Sequence, residues 1–225
     1  MVLIIALMAL FFAVQTTSFQ TWLGRRAGNY LSGELNTTLR VNTVKLEFFR
    51  QAELGDVLLL DLHGDTLFSG DIHATISLFD FRKQKVIIEQ ATLKNTTARL
   101  IEYRTDTVFN YQFIVDYFGG SPDSASGGAW DVQVNSVVLD KVNFVYRREK
   151  KAGVPEGLID YDDISLQNAS GRLSQIKSDS NSVSLVVSDL SASEKSGFRL
   201  EELDTKATIS GSELLCEDFR IKTPH

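Results

Sequence analysis

From Leu39 to Ile221 the chain keeps returning to a two-residue period, and that alternation most narrows the folds open to it. Successive side chains of a strand point to opposite faces, so apolar residues at every second position give one face for burial and one for water. Leu39, Val41 and Thr43 follow this rule, and Val44, Leu46 and Phe48 resume it after a slip of phase. Ile72, Ala74, Ile76 and Leu78 alternate with His73, Thr75 and Ser77, and the run from Val86 to Leu93 opens with β-branched residues. Val132 with Val134, Val142 with Phe144 and Tyr146, and Val183 with Leu185 and Val187 continue the pattern. Leu203, Thr205, Ala207 and Ile209, then Leu215, Glu217, Phe219 and Ile221, complete it. Leu62-His63-Gly64-Asp65, Ser69-Gly70-Asp71 and Ser210-Gly211-Ser212 carry the turn residues between segments. No helical period alternates with these strands, so the expected class is mostly β, an antiparallel meander rather than a parallel α/β fold.

The first residues obey a different rule. Met1 to Val14 hold no charge and no polar side chain, with Val2, Leu3, Ile4, Ile5, Leu7, Leu10, Phe11, Phe12 and Val14 as the apolar body. A helix of that length reaches about 21 Å, short of the roughly 30 Å of a bilayer's hydrocarbon. The segment is therefore either the apolar part of a signal peptide or the end of a longer membrane helix, a buried core helix being the weaker reading. Gln15-Thr16-Thr17-Ser18 offers no small-x-small cleavage site, which favours an uncleaved anchor (1–14) that begins upstream.

Phe19, Trp22, Leu23, Ala27, Tyr30, Leu31 and Leu35 then recur at helical spacing across 15–36, with Ser18 at the expected N-cap. Trp22, Arg25 and Arg26 suit a helix at the membrane interface, where an amphipathic ring and snorkelling cations are both stable. The same helix can equally cap the end of the β region.

Gly119 to Ala129 are small and polar, so 119–129 is expected to be an exposed loop between a proximal β region (37–118) and a distal one (130–225). The last strand pattern ends at Arg220-Ile-Lys-Thr-Pro-His without a cap, and further strands are expected beyond it. Val86–Leu93 resembles Val132–Leu139, with a fainter third copy in Val183–Leu190, the mark of units that stack on one another.

The sequence offers no reading as an enzyme. A net charge of −6 without a basic stripe argues against nucleic acid, and Arg147-Arg148-Glu149-Lys150-Lys151 reads as a solvated loop. Asp61, His63, Asp65 and His73 are close enough in sequence to suggest a metal site, but a turn needs Gly64 and Asp65 for its own geometry. Asp160, Asp162 and Asp163 lack the glycine and closing glutamate of a calcium loop. The single cysteine, Cys216, sits in a strand pattern and is expected to be a buried, inert thiol. No catalytic residue, metal or cofactor is expected.

Several segments in order carry a family resemblance: Val14-Gln15-Thr16, Ala27-Gly-Asn-Tyr-Leu-Ser32, Val41-Asn-Thr-Val-Lys-Leu-Glu-Phe-Phe49, Leu58-Leu-Leu-Asp-Leu-His-Gly-Asp-Thr-Leu67 and Thr107-Val-Phe-Asn-Tyr-Gln112. This succession resembles the start of TamB-like proteins of the AsmA-like group, in their Bacteroidetes-type form. The resemblance implies a single-pass inner-membrane anchor in a Gram-negative bacterium and a long periplasmic β-sheet curled into an apolar groove. It further implies a role in outer-membrane biogenesis, with phospholipid movement and the assembly or secretion of outer-membrane proteins beside an Omp85-type barrel. That barrel would be met by a C-terminal region this sequence lacks, and the anchor here is short. Leu46, Phe48, Ile72, Ile76, Leu78, Val134, Phe144, Leu185, Val187 and Ile209 are the candidate groove residues for acyl chains. Two alternatives stay open: a scaffold that templates client strands along a free edge, and an anchored adhesion-type sandwich whose alternation fills a closed core.

Overall fold

The computed structural model describes residues 16–47, 50–80, 82–119, 131–151, 153–155, 158–178, 182–210 and 213–224. Val2 to Val14, Phe48 and 120–129 therefore lie outside the described residues.

Helix α1 (Thr17–Glu34) leads into β1 (Leu39–Glu47), β2 (Gln51–Leu60), β3 (Thr66–Asp80) and β4 (Lys85–Glu102). Helix α2 (Gln112–Gly119) precedes β5 (Asp131–Val134), β6 (Ser136–Arg148), β7 (Asp163–Ser178), β8 (Ser182–Glu194), β9 (Arg199–Leu200), β10 (Glu202–Ser210) and β11 (Glu213–Lys222). All eleven strands belong to one sheet, in the order β1-β2-β3-β4-β6-β7-β8-β10-β11, with β5 beside β4 and β9 beside β8. The mostly-β class is therefore correct, but the sheet is mixed rather than wholly antiparallel. Strand β4 runs parallel to β5 and β6. A parallel neighbour needs a crossover, and residues 103–130 supply it, with α2 inside them. Because β4 pairs directly with β5 and β6, the proximal and distal regions form one continuous sheet. Among the described residues no helix is long and apolar enough to cross a membrane.

The parallel join explains the internal repetition. Val86 faces Val132, Ile88 faces Val134, Ala91 faces Val137 and Leu93 faces Leu139, so the two similar segments lie side by side in register. Opposite charges mark both ends of the match: Lys85 Nζ lies 2.6 Å from Asp131, and Arg148 Nε 3.0 Å from Glu102.

Each end of the sheet is treated differently. Side chains of α1 occupy the free backbone groups of β1. The Gln20 amide bonds both ways with Leu46, donating to its carbonyl at 3.0 Å and accepting from its N–H at 2.7 Å. Thr21 does the same with Val44, Ser32 accepts from the Leu39 N–H, and Arg25 donates to the Asn42 carbonyl. An unpaired strand edge invites other strands, and this helix closes it. Gln20 is consequently buried, while Trp22, Leu23 and Tyr30 of the sequence stripe are exposed. The N-cap is Thr16, not Ser18. At the other end β11 pairs, among the described residues, with β10 alone and is exposed along its whole length. Cys216 is therefore exposed, against expectation, because among the described residues no layer covers β11.

A line of left-handed residues crosses the sheet: Asp56 in β2, Asn95 in β4, Lys141 in β6, Asn168 in β7, Asp189 in β8 and Asp218 in β11. Gly70 in β3 joins it at φ 143°. Register shifts accompany it in most pairs, as bulges that bend and twist a strand. Neighbouring strands hold the exposed N–H groups: Asp71 accepts from Asp56 and Asp204 from Asp189, each at 2.9 Å, and Ser170 accepts from Lys141. The slip after Thr43 read from the sequence faces this seam, since Thr43 pairs with Gly55 beside Asp56. The core collects along it, with Val142, Ala169 and Ala192 buried and Leu93, Leu139 and Leu166 packed against them.

Farther along, burial pushes the Asp163 carboxyl up, but hydrogen bonds from Lys195 and Arg147 outweigh it and hold the pKa below the usual carboxylate value. A depressed folded pKa means that stabilisation is present above the ordinary value and lost as pH falls through the lowered one. Asp163→Asn is thus expected to lower the melting temperature at neutral pH, with the difference from the parent shrinking in acid, as thermal melts against pH would read.

Candidate functional site

The apolar face of the sheet can be followed strand by strand, because directly opposed residues share a face. One row runs Phe68, Ala98, Phe144 and Leu166, and another Ala74, Ala91, Val137, Leu173 and Val187. Where this face meets α1 a cavity of about 610 Å³ opens. Gly24, Ala27, Gly28 and Leu31 of α1 form one wall, and Leu39, Val41, Val44, Leu54, Val57, Leu59, Leu67, Phe68, Ile72, Ala98 and Leu100 of β1–β4 form the floor. Tyr111 and Ile114 of the crossover complete it. Among the described residues no charged one lines this chamber, whose size and apolar character suit a small hydrophobic ligand.

Two local features build it. Glycine at position 24 lets α1 lie close on β1, since a Cβ there would come within 2.3 Å of Val44 Cγ2. The bulge at Asp56 puts Leu54 and Val57 on the chamber floor, opposite Val44 and Val41 across the β1–β2 ladder. Gly24→Ala is expected to destabilise by about 1–3 kcal/mol through overpacking, which denaturant unfolding would measure.

A hydrogen-bonded clasp pins the crossover at the chamber's rim. Asp61 is only 2% exposed. Its Oδ1 accepts from the N–H groups of His63 and Asp65, each at 3.0 Å, closing the β2–β3 turn. Its Oδ2 accepts from the Tyr103 hydroxyl at 2.7 Å and the Asn110 amide at 2.9 Å. Asn110 in turn accepts from the Ile101 N–H and donates to the Arg99 carbonyl. Burial, then the bonds to Asp61 and Asp65, push the Tyr103 phenol pKa up, so it stays a donor. The metal reading of Asp61, His63, Asp65 and His73 thus gives way to a turn that clasps the crossover. His73 lies elsewhere, 3.9 Å from Glu53.

His63 Nε2 sits 2.7 Å from Asp106 Oδ2, and that hydrogen bond raises the imidazole pKa above its ordinary value. A raised pKa stabilises below the ordinary value near 6.5 and is lost as pH rises through the raised one. His63→Asn should therefore cost more stability in mild acid than at alkaline pH, where only the packing of the ring on Tyr103 is lost, in melts compared with the parent.

The sequence-expected groove residues distribute unevenly. Ile72 lines the chamber. Leu46, Phe144, Leu185, Val187 and Ile209 occupy the same face farther along, with Val187 buried at the seam and Ile209 46% exposed. Ile76 and Leu78 lie past a second bulge in β3, and Leu78 is exposed. Val134 lines a different cavity of about 1130 Å³ among Glu89, Asp131, Gln133, Ser174 and Lys177, whose charged lining suits water better than lipid. Sequence reasoning missed the α1 wall and the crossover; the spacing of Gly24, Ala27, Gly28 and Leu31 was the available signal.

Of the interface residues, Trp22 and Arg26 face outward, whereas Arg25 also binds the β1 edge. Asp160 caps its own turn by accepting from the Asp162 N–H. Asp189, Glu202 and Asp204 cluster closely, but the bond from Asp189 N–H to Asp204 repeats that of Asp56 to Asp71, which marks a bulge cap. No protein-family model, curated protein or solved structure matches this chain.

Proposed function

We propose that this chain is the membrane-proximal part of a TamB-like periplasmic bridge, holding phospholipid acyl chains on its apolar sheet face in the service of outer-membrane biogenesis. The observation that carries this reading is the chamber: a wholly apolar space at the capped end of a sheet whose apolar rows run on toward an uncapped end. Apolar burial is worth about 25 cal/mol per Å² and has no direction, so acyl chains are held without chemical selectivity and can slide. Among the described residues no second sheet packs on this face, which weighs against the closed sandwich. In this reading the chain does no chemistry, Val2 to Val14 anchor it in the inner membrane, and an Omp85-type barrel is met by another region.

Photo-crosslinkers at Ile72 and Phe144, with His73 and Asn143 as opposite-face controls, test the reading in cells. Lipid adducts are expected at the first pair and not at the second; adducts at neither, or equally at all four, reject it. A reporter fused after residue 60 should report the periplasm, and cytoplasmic activity would remove the bridge.

A second reading rests on β11. Leu214, Leu215, Phe219 and Ile221 are 47–64% exposed on a strand that has one neighbour among the described residues, which suits addition of a client strand. Adducts at β11 with protein rather than lipid would favour it.

A further inference from the structure

The chamber takes hydrocarbon but offers nothing to a headgroup, and the adjoining surface is of opposite character. A cleft of about 190 Å³ between α1 and β1 is lined by Arg25, Asn29, Arg40 and Asn42, and shares Leu39 and Val41 with the chamber. It shares Arg25 and Asn29 with a second cleft of about 430 Å³ that adds Trp22, Arg26 and Tyr30. Among the described residues neither cleft has an acidic lining residue. Within a chain of net charge −6, the three arginines here stand apart, and among the described residues Arg26 and Arg40 have no acidic partner. Trp22 and Tyr30 are 57% and 64% exposed beside them, the arrangement of rings and cations that settles at headgroup depth.

We propose that the α1–β1 cleft is a headgroup site for an anionic membrane phospholipid, with Arg25, Arg26 and Arg40 on its phosphate. The inference rests on the acyl-binding reading above and adds selectivity to it. The chamber alone does not distinguish lipids, whereas planar guanidinium forks bind phosphate in paired, charge-assisted hydrogen bonds. Asn29 stands between the two clefts and adds an amide donor.

The test uses the full chain in micelles with equal phosphatidylglycerol and phosphatidylcholine, and native mass spectrometry to read which lipid it retains. The parent is expected to prefer phosphatidylglycerol. Arg26→Gln with Arg40→Gln should reduce that preference about 30-fold at low ionic strength, from two lost cations near a headgroup plane. The two lysine substitutions should restore much of it. Both positions are exposed, and an unchanged melting temperature would show that the fold is kept. Retention of both lipids without preference overturns the headgroup site and leaves the acyl-binding reading standing. No retained lipid overturns both. A preference unchanged in the double glutamine variant overturns the assignment to Arg26 and Arg40. Retention of inorganic phosphate in place of lipid overturns the membrane source.

Discussion

Gly70→Ala is expected to lower the unfolding free energy by about 3–5 kcal/mol, because two costs fall on one position. At φ 143° a side chain is strained wherever it stands, and a Cβ there would approach Thr96 Cα to 2.6 Å and its Oγ1 to 2.5 Å. Thr96 is fully buried in the neighbouring strand, and the clashing Cα is backbone, so relief requires β3 and β4 to separate at the seam. Gly64 supplies the control: it has φ 85°, and a Cβ at that position would meet nothing within 4 Å, so Gly64→Ala adds strain alone. Urea unfolding of both variants separates the terms. An equal effect at the two glycines would mean that the close crossing at the seam contributes nothing. A total stability of roughly 5–15 kcal/mol leaves little margin for the larger loss.

Asp61→Ala is expected to cost about 2–4 kcal/mol and to free the crossover. The carboxylate accepts four hydrogen bonds, and its removal leaves the buried Asn110 amide one acceptor short and releases the Tyr103 hydroxyl and the β2–β3 turn. Asp61→Asn does not rescue it, since an amide presents a donor where a donor already points. Tyr111 and Ile114 line the chamber just beyond Asn110, so the effect reaches the candidate site. Hydrogen exchange should show faster exchange of amides 103–119 in the variant, while β7–β10 keep their protection. Loss of protection across the whole sheet would instead make Asp61 a general stability residue, and unchanged exchange would mean the clasp does not hold the crossover.

The strand periods and the turn at residues 62–65 were legible because both are local: a two-residue alternation and a Gly-Asp turn are written within a few positions of chain. The phase slip after Thr43 was equally visible, though not that it faces the left-handed Asp56 of the neighbouring strand. Helix α1 was legible too, and capping the β region was one of the two roles read for it, but the face that does so was not. Helical spacing pointed to an apolar stripe, whereas the buried face is set by what β1 needs, so Gln20 turns inward and Trp22 outward. The similarity of residues 86–93 and 132–139 was readable as repetition. That the copies pair in parallel, with a crossover between them roofing the chamber, depends on contacts between residues far apart in the chain. Cys216 shows the same divide: its alternating neighbours specify a strand, but only its place on β11, which the described residues leave uncovered, decides that it is exposed. Periodicity determines which residues share a face, because that follows from backbone geometry alone. Which parts of the face are covered, left open or hollowed into a chamber depends on strand order and on what docks at each end, and those are properties of the assembled sheet.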